Sequence, residues 1–185
     1  MANEKMTAKK PNVVRTMALI AIFTAVMCVL SPLSIPLEPV SITLATLALY
    51  VIGALLPFPI SIFPILIYLC LGFVGLPIFS KFQGGPQVIL GPTGGFLIGY
   101  LPCVAIESLL ISFFPNKKWM YPLAMLLGTI VLYSIGLLWI VFYGGYAWKN
   151  AWSLCVLPFL PGDFAKIIVS TIVGVRLRPL VAKKK

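Results

Sequence analysis

The sequence predicts an all-α membrane protein, a bundle of six transmembrane helices with both termini cytoplasmic. Composition is the first reason: 61% of the 185 residues are hydrophobic and 10% charged, and mean hydropathy is +1.07. A soluble domain has about 45–50% apolar and about 25% charged residues, so a water-soluble fold is excluded. The second reason is the number of apolar runs. Six spans of about 20 residues use about 120 residues, which leaves short loops within one integral membrane domain over 1–185. The third is charge placement: Lys5, Lys9, Lys10 and Arg15 precede the first run, Lys117 and Lys118 follow the fourth, and Arg176, Arg178, Lys183, Lys184 and Lys185 close the sixth. With short loops between spans, all of these fall on one face, and the positive-inside rule makes that face cytoplasmic. The formal charge of +10 thus reflects topology and anionic headgroups. Cations divided among three short segments do not form a nucleic-acid surface.

The chain opens on a basic leader, 1–12. Helix one is expected over 13–33, too long for a signal-peptide core and without a small-residue cleavage site. Helices two and three follow over 43–56 and 59–77, separated by Pro57-Phe58-Pro59, whose prolines interrupt helical hydrogen bonding. Helix four is expected over 92–114 and helix five over 120–142. Helix six, over 162–181, begins at Pro161-Gly162, since proline suits a first turn and Asp163 just behind it favours the positive end of the helix dipole. A basic tail, 182–185, ends the chain. No internal repeat of helix pairs is present. The outward loops are 34–42 with Glu38, 78–91 with Lys81 and Gln83, and 144–160 with Lys149, Asn150 and Trp152. They are rich in glycine, proline and aromatics, so a site open to the outside is expected there.

The chain has only four acids. Asp163 stands three residues before Lys166, and that spacing places both on one helix face. Charges at membrane depth are costly and turn to the bundle interior or a wet cavity, so the pair is either a functional site or a self-satisfied ion pair at the helix start. As a site, it offers an acceptor beside a donor, suited to a small planar group with N–H donors next to a carbonyl, such as an amide or urea. Glu107, midway along helix four, is read as a structural hydrogen-bonding group. Gly91, Gly95 and Gly99 recur every four residues, a helix-packing ladder. The start at Pro92-Thr93 also presents free N–H groups that suit a carboxylate. Ala21 and Ala25 form a small-residue face open to close helix approach. Cys28, Cys70, Cys103 and Cys155 have no CxxC spacing, and the chain has no histidine, so neither a metal site nor intramembrane hydrolytic chemistry is expected.

The stretch Gly75-Leu76-Pro77-Ile78-Phe79, the block Gly91-Pro92-Thr93-Gly94-Gly95-Phe96-Leu97-Ile98-Gly99-Tyr100 and Pro161-Gly162-Asp163-x-x-Lys166 resemble BioY, the biotin-specific S component of energy-coupling factor (ECF) vitamin transporters, over nearly the whole chain. The resemblance implies a non-enzymatic plasma-membrane subunit that binds biotin with high affinity from outside, then topples to release it inward. It implies a transmembrane T protein and two cytoplasmic ATPases as partners, the lipid bilayer as surroundings, and no cofactor, since biotin is the substrate. Ala21 and Ala25 match the Ala-x-x-x-Ala signature that docks on the T protein. Asp163 is assigned to a ureido N–H of biotin and Lys166 to the ureido carbonyl, with the opposite use of Lys166, on the carboxylate, left open. Gln83, Lys81 and backbone amides around Gly91 and Thr93 are the candidates for the carboxylate. Tyr100, Trp139, Tyr143, Tyr146 and Trp152 are candidate apolar walls, although interface anchoring explains outer aromatics as well. The alternatives are an S component for thiamine or riboflavin, or a structural membrane subunit with no small-molecule ligand.

Overall fold

The computed structural model of the chain describes residues 13–35, 40–115 and 117–181. The leader 1–12, Glu38 and the tail 182–185 lie outside the described residues. In order, the elements are α1 (Val13–Leu30), a two-stranded hairpin of β1 (Ser34–Ile35) and β2 (Ile42–Thr43), α2 (Ala45–Leu55), α3 (Ile62–Phe73), a 3-10 turn (Ser80–Phe82), α4 (Pro86–Ile89), α5 (Gly94–Phe113), α6 (Met120–Phe142), α7 (Trp148–Cys155) and α8 (Leu160–Val181). The six expected helices correspond to α1, α2, α3, α5, α6 and α8. The outer loops carry more structure than expected, since α4 and α7 both lie within segments read as loop.

α1, α5 and α6 are long and apolar enough to cross a membrane, and α7 with α8 passes the same test as one span bent by 46°. α2 and α3, at 11 and 12 residues, rise only about 17 and 18 Å, short of the roughly 30 Å of hydrocarbon. Among the described residues, three or four spans therefore qualify by length and composition, where the sequence predicts six.

α2 is apolar all round and accordingly buried, with Ala45, Ala48, Leu49, Tyr50 and Ile52 all but inaccessible. It packs against α8, α5 and α1. Elsewhere large side chains such as Val14, Phe113, Phe142 and Phe164 point outward, the surface that lipid rather than water favours.

The most extensive helix contact is α5 on α6. A Cβ on Gly95 would lie 2.2 Å from that of Trp139, and one on Gly99 would lie 2.9 Å from the Leu132 side chain. Two members of the glycine ladder are therefore a packing surface. Glu107 is fully buried where α2, α5 and α6 meet: Cys103 Sγ donates to its Oε1 at 3.6 Å, its Oε2 has no partner among the described residues, and Gly53 and Gly128 leave it room.

At the opposite end from the hairpin, Arg178 is 7% exposed and donates to the Ala54 carbonyl and Ser112 Oγ, both at 3.1 Å. The sequence reading groups it with the cations of the cytoplasmic face; in the structure it is buried and holds the C-terminus of α2. Arg15 donates to the carbonyls of Leu180 and Val181 at 2.9 and 3.1 Å, capping α8.

Candidate functional site

The first turn of α8 sets the site. Asp163 N–H donates to the Phe159 carbonyl at 2.8 Å, and the next turn brings Lys166 Nζ to Asp163 Oδ1 at 2.9 Å. The two side chains are 4% and 11% exposed, so the pair is nearly dry. Facing it is the start of α2. Lys166 Nζ also donates to the Thr43 carbonyl and to Thr46 Oγ1, both at 2.8 Å, and Thr46 Oγ1 donates to Asp163 Oδ1 at 3.1 Å. From α6, the Tyr133 hydroxyl donates to Asp163 Oδ2. Three helices thus converge on one ion pair, and a buried pair with its remaining polar atoms hydrogen-bonded is the arrangement that offsets desolvation.

The network borders a cavity of about 660 Å³, within the range of small-molecule sites. Its walls come from the hairpin, the hairpin-side ends of α2, α5 and α8, the middle of α6, and the segment around α4. Of the residues singled out from sequence, Asp163, Lys166, Lys81, Gln83, Gly91, Thr93, Tyr100 and Tyr146 line it. Trp139, Tyr143 and Trp152 do not. Tyr143 and Trp152 are more than half exposed, which fits the interface-anchoring alternative. Trp139 acts at one remove: its indole N–H donates to the Gly91 carbonyl at 3.0 Å and its ring stacks on Tyr143, so it holds a lining residue in place. Thr43, Thr46, Tyr133, Phe79, Phe96 and Gln87 line the cavity as well and were not anticipated. Thr46 and Tyr133 sit within apolar helices with no local motif, and only their distant partners distinguish them.

The mouth is shaped by the segment 79–85. Lys81 and Phe82 both have positive φ, 58° and 56°, a left-handed conformation rare for side-chain-bearing residues and typical of functional sites when it persists. Ser34 holds this turn to the hairpin, accepting from the Lys81 amide at 3.2 Å and from Ser80 Oγ at 3.1 Å. Gly94, at the start of α5, lies so close to the Ile89 carbonyl that a Cβ there would meet it at 1.7 Å, and its N–H already donates to the Gly91 carbonyl at 3.0 Å. One of the helix-start donors expected for a carboxylate is therefore engaged.

Ala21 and Ala25 are exposed on α1 and line a shallow apolar groove between α1 and α3, with Met17, Ile20, Phe63 and Ile67. The groove is separate from the cavity.

The model of the BioY family matches residues 2–183. The chain belongs to the BioY family. It is 36% identical over 162 residues to the biotin transporter BioY2 of Lactococcus lactis subsp. cremoris, covering 88% of this chain and 89% of that protein. It is 32% identical over 163 residues to the biotin transporter BioY of Thermotoga maritima, covering 88% and 95%. Among solved structures it is similar to the S component for biotin from an ECF-type ABC transporter, with a TM-score of 0.85 and 26% identity over 92% of this chain and 94% of that one. Like its BioY relatives, this chain is a multi-pass membrane protein.

Proposed function

We propose that this chain is the high-affinity biotin-binding S component of an ECF-type ABC transporter in the plasma membrane, capturing biotin from the extracellular side. The observation that carries the reading is the Asp163–Lys166 pair, bound to Thr46 and Tyr133 and bordering the 660 Å³ cavity of a BioY-family chain. The ureido ring sits at this network, with an N–H on Asp163 and its carbonyl toward Lys166. The valeryl tail runs toward the mouth, where Lys81, Gln83, Gly91 and Thr93 are the carboxylate candidates, and Tyr100 and Tyr146 contribute wall.

The chain acts as a single membrane domain over 1–185 with six helices embedded, the short α2 and α3 included, and both ends cytoplasmic. It is not an enzyme and needs no cofactor. ATP hydrolysis is supplied by two cytoplasmic ATPases through a transmembrane T protein that docks on the Ala21/Ala25 groove. Support for that docking surface is its exposure and its apolar lining on a helix remote from the cavity.

Titration calorimetry of the detergent-purified, vitamin-free chain with biotin, thiamine and riboflavin tests this. Saturable binding of biotin alone is the expected result. Binding of thiamine or riboflavin in its place reassigns the ligand, and binding of none by folded protein returns the ion pair to a structural bridge.

A further inference from the structure

The hydrogen bonds of the ion pair leave very little of its donor and acceptor capacity unused. An ammonium has three N–H donors, and Lys166 directs all three at protein acceptors: the Thr43 carbonyl, Thr46 Oγ1 and Asp163 Oδ1. A carboxylate has about four acceptor directions. Asp163 Oδ1 accepts from Lys166 and Thr46, and Oδ2 accepts from Tyr133. Among the described residues one acceptor direction remains, on Oδ2, the oxygen that Tyr133 holds.

The two anchors differ in kind. Lys166 and Thr46 both bind Oδ1, whereas Tyr133 comes from a different helix and holds Oδ2. With donors on both oxygens, rotation of the carboxylate about Cβ–Cγ is restrained from two sides. We propose that Tyr133 is a positioning residue for ligand recognition: its hydroxyl orients Asp163 so that the open side of Oδ2 receives an N–H donor of the ligand head group. The inference rests on the biotin reading above, in which that donor is a ureido N–H. It also makes the head-group end selective for donors. A ligand carbonyl reaches Lys166 only by displacing one of its three present partners, whereas a ligand N–H meets an acceptor that is already oriented and unoccupied.

A double-mutant cycle read by biotin titration tests this. Tyr133→Phe removes one oxygen and keeps the ring. It is expected to weaken biotin binding about tenfold in the wild-type background, on the scale of one hydrogen bond to a charged group. In the Asp163→Asn background the same change is expected to add about twofold or less, because residues acting through one another are non-additive. A purely structural role for Tyr133 multiplies the two losses instead. Tyr133→Gln, whose amide still donates, recovers part of the affinity. Should the Phe variant not fold, Tyr133→Met carries the same cycle. Wild-type affinity in a folded hydroxyl-less variant, or equal losses in both backgrounds, overturns the proposal. A folded, vitamin-free wild-type chain that does not bind biotin fails at the earlier step and takes down the functional reading itself.

Discussion

Among the described residues two acids lie inside this bundle, and they are treated in opposite ways. Asp163 opens α8 beside a cavity and is gripped by donors from three helices. Glu107 lies in the middle of α5, fully buried, with one weak sulfur donor on Oε1 and none on Oε2, and with Gly53 and Gly128 packed against it. Both are expensive at membrane depth. Only Asp163 combines convergent partners, a neighbouring cation and adjoining space. Burial of an acid therefore does not by itself mark a ligand site. The same contrast divides the cations of α8: Lys166 is tied to the start of α2 beside the cavity, and Arg178 is tied to its end in a packed seam.

The sharpest way to break the comparison is to remove the outer pair. Asp163→Asn and Lys166→Ala are each expected to weaken biotin binding by about 1.5–3 kcal/mol, the scale of hydrogen bonds to charged groups. Calorimetric titration checks this, and unchanged affinity in either variant removes the basis for treating the two acids differently.

At the inner acid the expected damage is to stability. A Cβ on Gly53 would sit 2.3 Å from Glu107 Oε2, so Gly53→Val overpacks the junction and costs about 1–3 kcal/mol. Thermal unfolding in detergent reads the loss, and the protein that remains folded should bind biotin as the wild type does. Trp139→Phe tests the layer that supports the cavity wall. It deletes the indole bond to the Gly91 carbonyl, with an expected affinity loss of about 0.5–1.5 kcal/mol.

The smallest effects are expected from Glu107→Gln and Trp152→Ala. Each should leave biotin affinity within about threefold, well below the tenfold that 1.4 kcal/mol represents. A larger loss for Glu107→Gln, in protein whose melting temperature is unchanged, would connect the inner acid to the site.

What was legible in the sequence follows from the solvent. In hydrocarbon a backbone must satisfy its own hydrogen bonds, so long apolar runs become helices, and α1, α5, α6 and α8 appear close to where composition and proline placement put them. The Asp163–Lys166 contact was legible too, because i, i+3 proximity is a local property of a helix. The small helix α7 was missed because its polar and aromatic residues read as loop.

The remainder of the site was decided by packing between distant segments. Thr46 lies 117 residues from Asp163, and Tyr133 lies 30 residues away. In their own helices they are one threonine and one tyrosine among apolar neighbours. Which of these aromatics face the cavity was set by the path of the α6–α7 connection and the placement of α7, so Tyr146 lines it and Tyr143 and Trp152 do not. By itself the sequence determined the helical membrane class, the long apolar helices and the Asp163–Lys166 contact, because each depends on solvent or on near neighbours along the chain. The tertiary structure alone decided which groups complete the ion pair and which acid borders a cavity, because those depend on which faces of separate helices meet.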